Sequence, residues 1–367
     1  IKTITSIIFL CLLAVIFVKT SYLFRRVDEN RRHVLGIQEE LTEDDVVYIG
    51  GSAAFVYWQP LTAWNNYGIT SYVMGTNTIP ADNLLIYMKE IKKYQNPKLF
   101  IIDARPFQYY GKMDKGESAI GFRNGCDSLS YGKLRNELIT SYILNSEELV
   151  FPINSLYLDI IYYHENKQAV GNPDNWKYIN NKASRQTYHG YEIHTEYMPI
   201  EKESFETDKS SALDPNAEKL LNEILDYGDS ENLNLLFVVV PYAEKKEARE
   251  SFNTIESIVK HRGYDFLNAN KYTKEMQIDY TSDFYNINHV NTFGAEKYTN
   301  YLSEYISKKY LLPDHRSDQK YSIWNNDYDI FHNAVEESKK QILTLKNNYT
   351  EDKKWKNLNI HLMPIIY

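Results

Sequence analysis

At 367 residues and 43% hydrophobic, the chain carries enough apolar surface for one large core or two smaller ones. Its net charge of −8 and the absence of a long basic run exclude nucleic acid as a natural partner, because phosphate binding calls for a positive face. Only two cysteines occur, Cys11 inside an apolar leader and Cys126 far from it, so no structural disulfide is expected. No group of Cys, His and carboxylate has zinc-site spacing, and neither a metal nor a cofactor is expected.

Residues 4–18 are apolar apart from Thr5 and Ser6, and the stretch 1–24 is flanked by Lys2 and by Arg25-Arg26. That length is just sufficient to cross a bilayer. A cleaved signal peptide is the rival, but no small-x-small site follows the apolar run. A buried core helix is the third reading. Residues 25–44 are charged, with Val27, Val34, Ile37 and Leu41 at heptad-like spacing, which predicts a helical stalk leading away from the membrane.

An α/β alternation follows. Residues 46–49, 69–74, 99–102, 233–240 and 264–267 read as five strands, and 233–240 is apolar apart from Asn234, as in a strand buried on both faces. Helices are expected after Ser52, from Pro80 to about 91, over 212–227, 245–261 and 294–309. Strands alternating with helices predict a doubly wound, mainly parallel five-stranded sheet within residues 45–310. Between about 105 and 210 the pattern dissolves into a Tyr-, Asn- and Gly-rich stretch too long for an ordinary loop, so an inserted subdomain or lid is expected. Residues 311–367 form a polar, aromatic tail with a helix expected at 333–345.

Two motifs carry chemistry. Gly50-Gly51-Ser52 ends the first strand, and Asn286-Ile287-Asn288-His289 precedes the last core helix. Serine is a weak nucleophile until a base takes its proton, so Ser52 and His289 must meet in space, as strand ends of a parallel sheet allow. The competing role for Ser52 is a helix N-cap, and for His289 a capping or packing group. Gly75 and Asn77, at the end of the second strand, are candidate oxyanion donors; an ordinary turn is the alternative. Arg105, after the third strand, is a candidate grip for an anionic substrate, with an internal Asp103–Arg105 pair as the alternative. His164, His189 and His194 lie in the insert, where surface positions are the default and substrate contact the other possibility.

Tyr48-Ile49-Gly50-Gly51-Ser52, Tyr72-Val73-Met74-Gly75 and Phe284 to Asn291 followed by Gly294-Ala295-Glu296-Lys297 together resemble the SGNH (GDSL-type) hydrolase fold. More narrowly, the chain is similar to the membrane-anchored branch containing the teichoic acid D-alanyl transfer protein and exopolysaccharide O-acetylation proteins. The likeness covers roughly residues 1–310, with the insert poorly matched. It implies a flavodoxin-like sheet, Ser52 as nucleophile, His289 as base and Gly75 as oxyanion donor. It also implies an extracellular catalytic domain, a multi-spanning membrane-bound O-acyltransferase as partner, and a cell-surface polysaccharide or teichoic acid as acceptor. An esterase of the same fold, a non-catalytic scaffold or glycan-binding subunit, and a soluble secreted hydrolase are the alternatives. Three departures stand out. Gly51 replaces the usual Asp or Thr before the serine, the family's block asparagine has no clear equivalent apart from Asn77, and Asn286 occupies the position of the acid. Asp283 is the candidate replacement carboxylate if the loop folds back; a Ser–His dyad is the alternative.

Overall fold

The structure, a computed structural model, describes residues 2–146 and 148–351. Its first helix, α1 (Lys2–Phe24), spans about 34 Å at 1.5 Å per residue. Residues 2–16 are exposed, whereas Ser21, Tyr22 and Leu23 are buried against the rest of the chain. This helix is long and apolar enough to cross a membrane. The expected stalk is not one. Asp28 caps α2 (Glu29–Gly36) by accepting the Arg31 N–H at 3.1 Å, and six of the eight residues of α2 are buried. Tyr72 donates its hydroxyl to the His33 carbonyl at 2.9 Å. Residues 28–39 are therefore packed against the sheet edge, because Val34, Leu35 and Ile37 bury there rather than along a free heptad stripe.

The core sheet holds β1 (Val46–Gly50), β2 (Ser71–Gly75), β3 (Leu99–Asp103), β4 (Leu235–Val239) and β5 (Asp265–Asn268). All pairings are parallel, in the order β2-β1-β3-β4-β5, which is the flavodoxin-like doubly wound order. The period of two along each strand divides the core. Val47, Ile49, Phe100, Ile102, Leu235 and Phe237 face one side, where they meet α5 (Ala81–Ile91), and later in the chain α12 (Pro215–Glu231) and α13 (Lys246–His261). Val46, Tyr48, Leu99, Ile101, Leu236 and Val238 face the other. There they meet the short α3 (Ser52–Phe55) and α4 (Pro60–Tyr67), then α14 (Thr292–Tyr310) and α15 (Ser322–Glu351). A small antiparallel pair, β6 (Phe284–Asn286) and β7 (His289–Val290), lies just before α14.

The long insert divides into two parts. Helices α6 (Arg105–Tyr109), α7 (Lys115–Cys126), α8 (Lys133–Asn145), α9 (Ile153–Tyr157), α10 (Ile160–Tyr163) and α11 (Gln168–Gly171) lead into a 3-10 turn at Pro173–Asn180. The latter part of this run, with the α7–α8 loop, forms a collar around the foot of α1, where Asn166 donates to the Phe24 carbonyl at 2.8 Å and the Tyr22 hydroxyl accepts the Tyr131 N–H at 2.9 Å. Residues 182–210 then run without regular structure as a strap. Its backbone bonds successively to Val73 of β2, Phe55 of α3, Thr292 of α14 and Phe284 of β6. The insert is thus neither a free lid nor a detached subdomain.

The tail helix is longer than the expected 333–345 and belongs to the core. Trp324, Phe331, Val335 and Ile342, spaced by seven, four and seven residues, form its buried stripe. Residues 352–367 of the tail lie outside the described residues. Trp324 stacks on His189 with ring centroids 3.8 Å apart and donates Nε1–H to Thr42 Oγ1 at 2.9 Å. His189 sits between Glu40 (2.9 Å) and Asp327 (3.4 Å); against burial, which opposes its charge, these carboxylates raise its pKa to about 9. Replacing Trp324 with Ala removes a fully buried ring and a shared hydrogen bond. The expected cost is about 3–5 kcal/mol, read as a lowered denaturation midpoint at unchanged m-value.

Candidate active site

The site is assembled at the carboxyl ends of the parallel strands, where doubly wound sheets place their ligands. After β1 the chain turns sharply into α3. Gly50 is required there, because a Cβ would lie 2.6 Å from the Asp103 Cβ. Gly75, its partner on β2, is equally constrained, since a Cβ would meet the Gly50 carbonyl oxygen at 2.7 Å. Gly51 faces only ordinary contacts, so the residue type before the serine is not dictated by space. Ser52 opens α3 and is partly exposed.

Ser52 Oγ lies 2.6 Å from His289 Nε2, across 237 residues of sequence. On the other side of the ring, His289 Nδ1 is 3.0 Å from Asn286 Oδ1. The same Oδ1 accepts the Asn288 backbone N–H at 2.8 Å, which identifies it as the oxygen of the amide. An oxygen facing Nδ1 can only accept, so Nδ1 carries the proton and Nε2 presents its lone pair to the serine hydroxyl. The β6–β7 hairpin thereby supplies the tautomer that a general base needs. Its loop is fixed from outside: the Tyr57 hydroxyl lies 2.8 Å from the Pro241 carbonyl and 2.9 Å from the Asn288 carbonyl, and the Ala243 N–H donates to the Ile287 carbonyl at 3.0 Å.

Other candidates take varied places. Asp283 is buried and bound by Lys297 at 2.6 Å and by the Asp279 N–H at 2.7 Å, so the loop does not turn its carboxylate to His289. Asn77 is exposed, and its backbone N–H is taken by Asn30 Oδ1 at 2.6 Å. Arg105 lies beside its structural partner Asp103, Nε to Oδ1 3.6 Å, with Tyr242 5.7 Å from its guanidinium. Asp103 accepts the N–H groups of Arg105 and Gly51 beneath the serine turn, and burial raises its pKa against the pull of Arg105. No carboxylate partner of Arg105 other than Asp103 occurs among the described residues, and its charge is felt at His289.

The insert adds groups that sequence reasoning left at the surface. His194 stacks on Tyr285 at 4.6 Å, and Tyr285 stacks on His289 at 5.6 Å, giving a three-ring pile that ends on His289. Glu192 and Glu196 flank His194 at 3.7 and 3.4 Å and, against burial, raise its pKa to about 9. His189 is buried in the charge cluster under Trp324, away from the surface; of the three insert histidines only His164 is exposed. Tyr57 and Tyr285 were not singled out as site residues, and their aromatic character was the sole available signal; His194 was named only as a possible substrate contact, with a surface position as the default.

Burial, then the positive charges of Arg105 and His194, drive the His289 pKa well below its ordinary value. The imidazole is therefore neutral down to acidic pH. Ser52 reactivity toward a fluorophosphonate is expected to stay level through pH 6.5, where an ordinary imidazole is half protonated, and to fall only below it. Rate constants across a pH series in one buffer set check this. The same shift has a stability consequence: the unfolded chain binds a proton at His289 that the folded chain refuses, so this group opposes folding as pH drops below 6.5.

Fold and site together define an α/β protein with a Ser–His–Asn constellation at the carboxyl edge of a doubly wound parallel sheet. No family model matches the chain, and no curated protein matches it.

Proposed function

We propose that the chain is a membrane-anchored, SGNH-type serine O-acyltransferase that transfers an acetyl or D-alanyl group to a cell-surface polysaccharide or teichoic acid. The observation carrying this reading is the 2.6 Å Ser52–His289 contact, with the productive imidazole tautomer set by Asn286. In the first half-reaction, Ser52 Oγ attacks the acyl carbonyl carbon while its proton passes to His289 Nε2. The tetrahedral oxyanion is held by the Ser52 N–H, free of any intrahelical partner at the start of α3, and by the Gly75 N–H. The donor's leaving group departs with the proton from Nε2, leaving an ester on Ser52. In the second half, Nε2 takes the proton of an acceptor hydroxyl, which attacks the ester and releases Ser52.

Resemblance supplies the wider setting: an extracellular domain on α1, fed by a multi-spanning membrane-bound O-acyltransferase. Fixing enzyme and polymer at one surface removes much of the entropy of encounter. Arg105 fits an anionic group on donor or acceptor. The same-fold alternative, an esterase, shares the first half-reaction and uses water in the second. Asn286 in place of a carboxylate favours a different reading, a scaffold or glycan-binding subunit. One experiment separates the three: incubation with p-nitrophenyl acetate and a polysaccharide or teichoic acid acceptor, followed by mass analysis of the polymer. Acylated polymer is the expected product; free acetate alone indicates an esterase, and an unreacted ester with intact polymer binding indicates a scaffold.

A further inference from the structure

Four arginines surround the foot of α1, and each is almost wholly buried: Arg25, Arg31, Arg123 and Arg135. Among the described residues, the carboxylates buried with them are Asp127 and Asp159. Asp159 takes Arg25 and the Tyr131 hydroxyl, with Arg135 at 3.8 Å. Asp127 takes Arg135 at 3.1 Å and Arg123 at 3.3 Å. Arg31 has neutral acceptors only: Asn181 Oδ1 at 2.9 Å and the carbonyls of Arg25 and Tyr178 at 3.4 Å. Four of their N–H groups make no hydrogen bond, Arg25 Nη2, Arg31 Nε, Arg123 Nε and Arg135 Nε, although Arg123 Nε lies 3.3 Å from Asp127. Burying a charge without a counter-charge costs several kcal/mol per ion, so the cluster is short of negative charge. Burial and the neighbouring Arg25 lower the Arg31 pKa to about 9, the response of a cation in that position.

Three of these arginines, Arg25, Arg31 and Arg123, line a pocket of ≈ 20 Å³ that opens to the surface, with Arg26 and Asp28 at its rim. Asp28 is already neutralised, 3.4 Å from Arg26, and Asp127 by its two arginines. The volume suits an oxygen or two of a tetrahedral anion rather than an acyl chain. Its position is equally specific. Arg25 immediately follows the last residue of α1, which is the level at which an apolar span of this length meets the headgroups. Beside it the collar exposes Ile161, Tyr162, Val170 and Trp176 on segments that touch α1. Aromatic and aliphatic side chains clustered at that height are the pattern of a membrane-interface belt.

We propose that this pocket binds the phosphate of an anionic phospholipid headgroup, clamping the collar and the domain onto the membrane at the foot of α1. The proposal rests on the reading of α1 as a membrane anchor and not on the acyl-transfer chemistry. A phosphate oxygen would supply the acceptor that Arg25 Nη2 and Arg31 Nε lack, in the bidentate manner that suits guanidinium groups.

The test uses the full chain in nanodiscs of phosphatidylcholine with and without phosphatidylglycerol, then gentle delipidation and native mass spectrometry. Retained phosphatidylglycerol in preference to phosphatidylcholine is expected, and Arg31→Gln should lower its retention about tenfold, the loss of one charge-assisted contact. Arg26→Gln, at the exposed rim where folding is not in question, should lower it in the same direction by less. Equal retention of the two lipids, or retention unchanged in both variants, overturns the proposal. Stabilisation by inorganic phosphate in detergent equal to that by phosphatidylglycerol reassigns the pocket to a free anion and also overturns it. Flotation of wild type with pure phosphatidylcholine vesicles checks the anchor separately; failure to float removes the basis of the proposal whatever the pocket binds.

Discussion

A His289→Ala variant is expected to take up a fluorophosphonate at Ser52 about 10³–10⁴-fold more slowly than wild type. General-base assistance by a positioned histidine contributes about 10²–10⁴-fold, and the upper part of that range applies when nothing else can accept the proton. Ser52 Oγ has His289 Nε2 as its hydrogen-bond partner at 2.6 Å, while the nearby cations, Arg105 and the protonated His194, have no proton-accepting capacity. Fold should survive the change, because the β6–β7 hairpin is held by backbone bonds, by Tyr57 and by Asn291 rather than by the imidazole. Second-order labelling constants for the two proteins measure the effect, with the denaturation midpoint as the fold control. A loss below about tenfold would mean that Ser52 gains its reactivity, if any, without the imidazole.

The Asn286 position is expected to give changes of opposite sign with two substitutions. Asn286→Leu removes the acceptor that holds Nδ1–H and leaves the tautomer free. In a serine protease triad, an Asp→Asn change that leaves the imidazole in the wrong tautomer costs about 10⁴ in kcat, and a loss of about 10²–10⁴ in labelling rate is expected here. The native asparagine avoids that penalty because the Asn288 N–H pins its oxygen toward the ring. What it lacks is charge. Asn286→Asp places a carboxylate about 3 Å from Nδ1, which favours the imidazolium and raises the His289 pKa. Labelling near neutral pH should quicken, and the acid limb of its pH profile should move up by the same amount. A pair of pH–rate profiles checks both consequences at once.

The strands were legible because a parallel sheet buries both faces and leaves continuous apolar runs such as 235–240. Ser52 and His289 were legible for a related reason: each follows a strand or precedes a capped helix, so topology alone carries both to one edge. Contacts made by irregular segments were not. The strap at 182–210 has no period, and nothing local announces that its His194 will cover Tyr285 and His289. Asp283 and Asn286 are both plausible partners of the imidazole by spacing, and only the fold gives Asp283 to Lys297. The 25–44 segment read as a stalk because its apolar residues match a heptad, yet Val34 and Ile37 bury in the same cluster as Tyr72 of β2, at the sheet edge. Helix α15 was underestimated at its start, where Trp324 and Asp327 bind His189 and Arg185 through contacts more than a hundred residues away in sequence.

The most direct measurement is the intact mass of the protein after treatment with a serine-directed fluorophosphonate, followed by peptide mapping of the adduct. A single adduct on Ser52, absent from Ser52→Ala, is the expected result and establishes an activated serine at the head of α3. A folded wild-type protein that takes up no reagent, or carries it on another residue, would refute Ser52 as the nucleophile.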